Sequence, residues 1–281
     1  MTVERTGWFE GSRKRRLFFR SRELADARGC LLAVHGLGDH SGRYDRVAEC
    51  AAVAGLDFHA LDMRGHGRSE GRRGHARALD DLLGDVDRLR LRTEGRGTRR
   101  PTVLLGHSLG GLVVGRYVQE YGFPALAGAV LVAPFVDVVI EPPRWKALAG
   151  AVADRLLPGL TLDNEIRAAM LFRDESEARA WEDDPLVHHR ISARLWGEMQ
   201  RQSKVLVRRA PQCRTPMLIQ LPGRDVVVSS EAAGGLLASR LAGDVRLASY
   251  PDACHDLYHD PSAGEAAADL VRWLGEAVQA G

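Results

Sequence analysis

Short, nearly all-apolar runs punctuate this chain at positions 30–35, 58–61, 102–105, 129–132 and 217–221, and a last strand-like run lies at 245–249. Runs of that length fit strands covered on both faces, the pattern of a parallel sheet between helical layers. Between them lie segments with apolar residues every three or four positions. The clearest spans 78 to about 92, where Leu79, Leu82, Leu83, Val86 and Leu89 form one stripe. Asp80, Asp81, Asp85 and Asp87 take other positions there and read as a solvated face. Further helices are expected around Val47, Cys50, Ala51 and Ala54, over 112–121 and 230–241, and over 265–279 with Ala268, Val271, Trp273 and Leu274 facing inward. At the start, Trp8-Phe9 and Leu17-Phe18-Phe19 flank the polar Gly11-Ser12-Arg13, which predicts a hairpin at the sheet's starting edge. The alternation predicts an α/β fold with a mostly parallel sheet and right-handed crossovers.

The pattern changes after Pro134. From 136 to 209 no comparable strand series occurs, and helical stretches at 145–157, 162–172 and 191–207 are punctuated by Pro142-Pro143 and Pro158-Gly159. This is too long for a simple crossover. It predicts a helical cap, residues 136–209, inserted over the carboxyl edge of a core made of 1–135 and 210–281.

One stretch carries the chemistry. Gly106-His107-Ser108-Leu109-Gly110-Gly111 sits between a strand and a helix, the arrangement in which a serine occupies a tight strand-to-helix turn and projects above the sheet. The following helix aims free backbone N–H groups at that position, where they can hold a developing negative charge. A serine hydroxyl needs a base and a group to orient that base. In this fold class they follow the serine as an acid and then a histidine. Asp225, in the Gly223-Arg224-Asp225 turn after a strand, and His255, in the loop after the last strand, fit those places. Asp252 is too near His255 in sequence to face it easily, and Asp137, which also follows a strand, is the rival acid. Among other histidines, His107 points away from Ser108, His35 and His66 shape the pocket floor, and His188 and His189 read as a surface turn. Asp62 reads as a brace for the Arg64-Gly65-His66 turn. The N–H groups of Leu109 and of Leu37, in His35-Gly36-Leu37-Gly38, are the expected oxyanion donors.

Composition narrows the setting. The 281 residues are 27% charged and 45% hydrophobic with a formal net charge of +2, so nothing points to a nucleic-acid partner. Cys30, Cys50, Cys213 and Cys254 are scattered and read as free thiols, and Cys254 as a bystander whose alkylation leaves activity intact. The start of the chain lacks the apolar core of a signal peptide, and no apolar run is long enough to span a bilayer; the expected location is the cytoplasm. No metal ligand spacing and no dinucleotide fingerprint is present, and the serine chemistry needs no cofactor.

Taken together, His35-Gly36-Leu37-Gly38-Asp39-His40-Ser41-Gly42-Arg43-Tyr44, Asp62-Met63-Arg64-Gly65-His66-Gly67-Arg68-Ser69-Glu70-Gly71, the Ser108 turn, Gly223-Arg224-Asp225 and His255 resemble the monoacylglycerol lipase and lysophospholipase group of α/β-hydrolases. The resemblance covers nearly the whole chain. It implies an α/β-hydrolase fold and a serine esterase with Ser108, Asp225 and His255 as its triad, acting on monoacylglycerols or related lipid esters beneath the cap. Lysophospholipase or short-chain carboxylesterase activity are the alternatives on the same triad. His35, Trp145, Leu148, Ile166, Met170 and Phe172 are the candidates to touch substrate, and the cap edge is a candidate for transient contact with lipid surfaces.

Overall fold

Eight strands build one twisted sheet in a computed structural model that describes residues 2–94, 100–121, 126–139 and 144–280. The hairpin of β1 (Thr2–Glu10) and β2 (Arg16–Leu24) lies at one edge, antiparallel. Then follow β4 (Leu56–Leu61), β3 (Gly29–Val34), β5 (Thr102–His107), β6 (Leu126–Val132), β9 (Met217–Pro222) and β10 (Val245–Tyr250). All neighbours from β4 onward are parallel. Strands β3, β5, β6 and β9 are almost wholly buried because helices cover both faces. The helices α1 (Asp45–Val53) and α8 (Ala263–Ala280) close one face, and α2 (Leu79–Glu94) and α3 (Leu109–Tyr121) close the other. This is the α/β-hydrolase fold, with its order reversal between β3 and β5.

Between β6 and β9 the chain inserts α4 (Arg144–Leu156), β7 (Thr161–Asp163), α5 (Ala168–Leu171), α6 (Glu175–Glu182), β8 (Arg190–Ser192) and α7 (Ala193–Arg209). The cap is anchored where α7 packs on α3. A Cβ on Gly115 would stand 2.9 Å from the Leu206 side chain, so the missing side chain admits that leucine.

Several expectations change. The stretch 162–172 is not one helix: β7 pairs with β8 as an antiparallel ribbon, and only α5 is helical. Asp163 accepts from the Glu165 N–H and Asn164 from the Ile166 N–H, local turns that compete with a helix. The segment 191–207 opens as strand β8 before α7. Residues 230–240 are helical as expected, though as a π-helical stretch at Ala232–Leu237 and a 3-10 turn at Ala238–Arg240 rather than a regular α-helix. Ala268 is exposed; α8 turns Ala266, Leu270, Trp273 and Leu274 inward. The acidic flank of α2 is only partly a solvated face: Asp80 is exposed and Asp87 half-buried, but Asp81 and Asp85 are buried. Asp85 holds Arg64 through two 2.7 Å bonds and caps the Ser12 N–H at 2.8 Å, tying the first hairpin to the helix. The Pro142-Pro143 pair and most of the turn expected at 95–101 lie outside the described residues.

Candidate active site

Ser108 lies between β5 and α3 with φ 54°, a left-handed conformation strained for a residue with a side chain. The neighbours impose it. A Cβ on Gly106 would sit 2.1 Å from the Gly110 carbonyl oxygen, and one on Gly110 would sit 2.1 Å from the Val34 carbonyl oxygen. Backbone therefore packs on backbone on both sides of the serine. The Ser108 N–H donates to Val132 O at 3.0 Å, and its carbonyl accepts from Phe135 N–H at 3.0 Å, which pins the turn to the end of β6. Leu109 is the first residue of α3, so its N–H has no partner within the helix. Gly36 crosses close by, where a Cβ would lie 3.4 Å from the Ser108 Cβ. The loop carrying Leu37 is thus beside the serine.

The imidazole of His255 and the carboxylate of Asp225 meet at 2.7 Å, Nδ1 to Oδ2, and both side chains are buried. A carboxylate only accepts, so Nδ1 carries the hydrogen and the Nε2 lone pair is left to take a proton. The other Asp225 oxygen accepts from the N–H groups of Val227 and Val228 at 2.8 and 3.0 Å. Burial opposes both charges, but their attraction and shared hydrogen bond prevail. His255 is raised above the usual histidine value and Asp225 is lowered below the usual carboxylate value. The His255 loop rests on the serine turn, because His107 Nε2 donates to the His255 carbonyl at 3.1 Å and the two rings lie 4.8 Å apart. Burial, then the nearby His255, lowers His107 below the usual histidine value. A serine hydroxyl, an imidazole held by a buried carboxylate, and backbone N–H groups beside the serine are the kinds of group that acyl transfer uses.

The rival acids stand elsewhere. Asp137 is exposed and bonded to the Val138 N–H, and Asp252 pairs with Arg224 at the surface. Asp62 is a brace, but for different partners: it accepts from Ser41 N–H and Oγ and from Arg68 N–H. His35 is buried with both ring nitrogens engaged, Nδ1 donating to Gly36 O at 2.7 Å and Nε2 accepting from Met63 N–H at 2.8 Å. It fastens two core loops together rather than facing a substrate.

The cap candidates separate into two groups. Phe172 is buried with Ala168, Leu171 and Trp181, with Ile166 at the border, and Met170 is half-buried nearby on α5. Trp145 and Leu148 are 72% and 67% exposed. The reason is that α4 meets α7 through Asp154, which pairs with Arg194 and Arg201, leaving their face turned outward. His188 is not a surface turn: its N–H donates to Gly38 O at 2.9 Å and its Nε2 to Gly65 O at 3.1 Å. Burial and the nearby Arg73 pull it down to about 4. Such contacts across the cap seam join residues more than a hundred positions apart, and no local spacing announces them. Cys254 is half-buried, with its thiol pushed up by burial.

Comparison with known proteins agrees with this geometry. The family model described as serine aminopeptidase, S33, matches residues 25–262. The chain is 31% identical over 255 residues to the monoacylglycerol lipase of Mycolicibacterium smegmatis, covering 89% of each. It is 27% identical over 199 residues to the phospholipase YtpA of Bacillus subtilis, covering 70% of this chain and 76% of that one. Among solved structures, the Paleococcus ferrophilus monoacylglycerol lipase superposes with a TM-score of 0.85 at 29% identity, covering 93% of this chain and 99% of the other. The chain belongs to this family of α/β-hydrolases, as a serine hydrolase of its monoacylglycerol lipase and esterase-like group.

Proposed function

We propose that this protein hydrolyses monoacylglycerols to fatty acid and glycerol through an acyl-enzyme. Ser108 is the nucleophile, His255 the base and Asp225 its orienter. The Asp225–His255 bond at 2.7 Å, on a loop packed against the Ser108 turn, carries the reading. Ser108 Oγ attacks the ester carbonyl while His255 Nε2 takes its proton. The tetrahedral oxyanion accepts from the N–H groups of Leu37 and Leu109. As the intermediate collapses, the carbon–oxygen bond to glycerol breaks and His255 returns the proton to the leaving alcohol. Water, deprotonated by the same imidazole, then attacks the acyl-enzyme and releases the fatty acid.

Residues 136–209 act as the cap, and its apolar cluster around Phe172 is the surface proposed to meet the acyl chain. The outward face of α4 is proposed to touch lipid surfaces transiently. The four free cysteines support a reducing compartment such as the cytoplasm. The relative named as a phospholipase favours a second reading, a lysophospholipid substrate.

The test is hydrolysis by wild type and Ser108→Ala of monoacylglycerols of several chain lengths, short aryl esters, lysophospholipids and a peptide amide. The expected result is fastest turnover of longer monoacylglycerols, abolished in Ser108→Ala without loss of fold. Preferred turnover of lysophospholipid selects the second reading, and turnover of the amide alone rejects both.

A further inference from the structure

The loop that carries Leu37 is held by the core on both sides, at Gly36 through His35 Nδ1 and at Ser41 through Asp62, with His40 N–H also donating to Asp39 at 2.8 Å. Its internal turn, Asp39 N–H to Gly36 O, spans 3.4 Å, the long limit of a hydrogen bond. Between those two points, the contacts at Gly38 and at the His40 ring come from the cap. Gly38, at φ +79°, lies so close to the cap that a Cβ there would be 2.3 Å from the His188 carbonyl oxygen. Its own carbonyl accepts from the His188 N–H at 2.9 Å. Two residues later His40, buried, reaches Asp184 of the cap, Nε2 to Oδ2, at 2.9 Å. The ring's orientation is fixed by chemistry. His40 Nδ1 accepts from the Gly42 N–H at 3.1 Å, so in the neutral ring the hydrogen is on Nε2 and is donated to Asp184. Asp184 is held in turn, since its Oδ1 accepts from the Leu186 N–H at 2.8 Å.

We infer that Asp184 is a positioning residue for the reaction: through His40 it fixes the loop that presents the Leu37 N–H to the oxyanion. The cap is then part of the catalytic frame as well as a cover. This rests on the proposed roles of Ser108, Leu37 and Leu109. The reasoning is geometric. Leu37 lies one residue before Gly38 and three before His40, so both cap contacts act on the same short length of backbone. An oxyanion donor acts only at its proper distance, and a displacement of about 1 Å costs on the order of 100-fold in rate.

A simple staple between cap and core would look similar in the structure but not in kinetics. The experiment compares wild type, Asp184→Ala and Asp184→Asn on p-nitrophenyl acetate and butyrate, whose acyl groups are short. It also measures the affinity of each for a trifluoromethyl ketone, which forms a tetrahedral oxyanion on the serine. In Asp184→Ala, kcat on both short esters should fall about 10- to 100-fold with KM within about twofold, and ketone affinity should fall by a similar factor. Asp184→Asn, which keeps one acceptor oxygen, should lose less. Melting temperatures and circular dichroism establish that the variants are folded. Unchanged kcat on the short esters, or a change confined to KM, would overturn the inference and leave Asp184 as a staple. Failure of the site assignment would show differently, as ester hydrolysis that survives Ser108→Ala.

Discussion

At His255 two pressures oppose each other. Burial favours the neutral ring, while the charge of Asp225 and the bond to it favour the protonated one, and the second wins. In the proposed role His255 acts only with Nε2 unprotonated, so a raised histidine delays activity to a higher pH. The rate should therefore climb with pH along an acid limb whose midpoint in kcat/KM lies above 6.5, the ordinary histidine value. Asp225→Asn removes the opposing charge and leaves burial in control. Its limb should move to lower pH even as kcat falls by about 10⁴-fold. A limb that stays in place in Asp225→Asn would mean that another group titrates. That Ser108, Asp225 and His255 lie at strand ends was legible in the sequence, because each follows a strand-like run. The state of the base was not, since it depends on the depth of the loop.

The cap stands on the core through the contact of α7 with α3, and a single leucine measures its strength. Leu206 is buried and packs against Gly115. Leu206→Ala should cost about 2–5 kcal/mol, read as a lower melting temperature, because the backbones of two helices limit how far the void can close. A drop below 1 kcal/mol would show that the cap is anchored elsewhere. The core strands were legible from their continuous apolar runs, and α3 and α7 from their length. The region 162–172 misled because its apolar spacing suits a helix. Side-chain oxygens at Asp163 and Asn164 instead capture nearby N–H groups, and Glu165 adopts φ 61°. The burial of Asp81 and Asp85 was equally hidden, because it is created by Arg64 and the first hairpin arriving from elsewhere in the chain.

Across the whole molecule the cap holds both halves of the site. Leu171 accepts from the Asp256 N–H and Arg173 grips Asp260 in the His255 loop, while Asp184 and His188 hold the loop of Leu37. Among the described residues its outer side shows no such partner. Trp145, Leu148, Val152 and Leu156 recur along one face of α4, all exposed, and Leu157, Leu160 and Leu162 extend the same apolar character beyond it. No described helix is long and apolar enough to cross a membrane. An exposed stripe of this kind instead suits shallow contact with a lipid surface, where an insoluble monoacylglycerol is found. With a formal charge of only +2, that contact should depend on buried apolar area and little on anionic lipid or salt. The wild type should co-sediment with phosphatidylcholine vesicles, with a blue shift of tryptophan emission that is lost in Trp145→Phe. Each leucine buried contributes about 1.5–3 kcal/mol at most, so Leu148→Asp with Leu156→Asp should weaken retention at least about tenfold. Equal retention of wild type and the double variant would remove α4 from the contact. Retention that appears only with anionic vesicles and vanishes in salt would instead assign the contact to basic side chains.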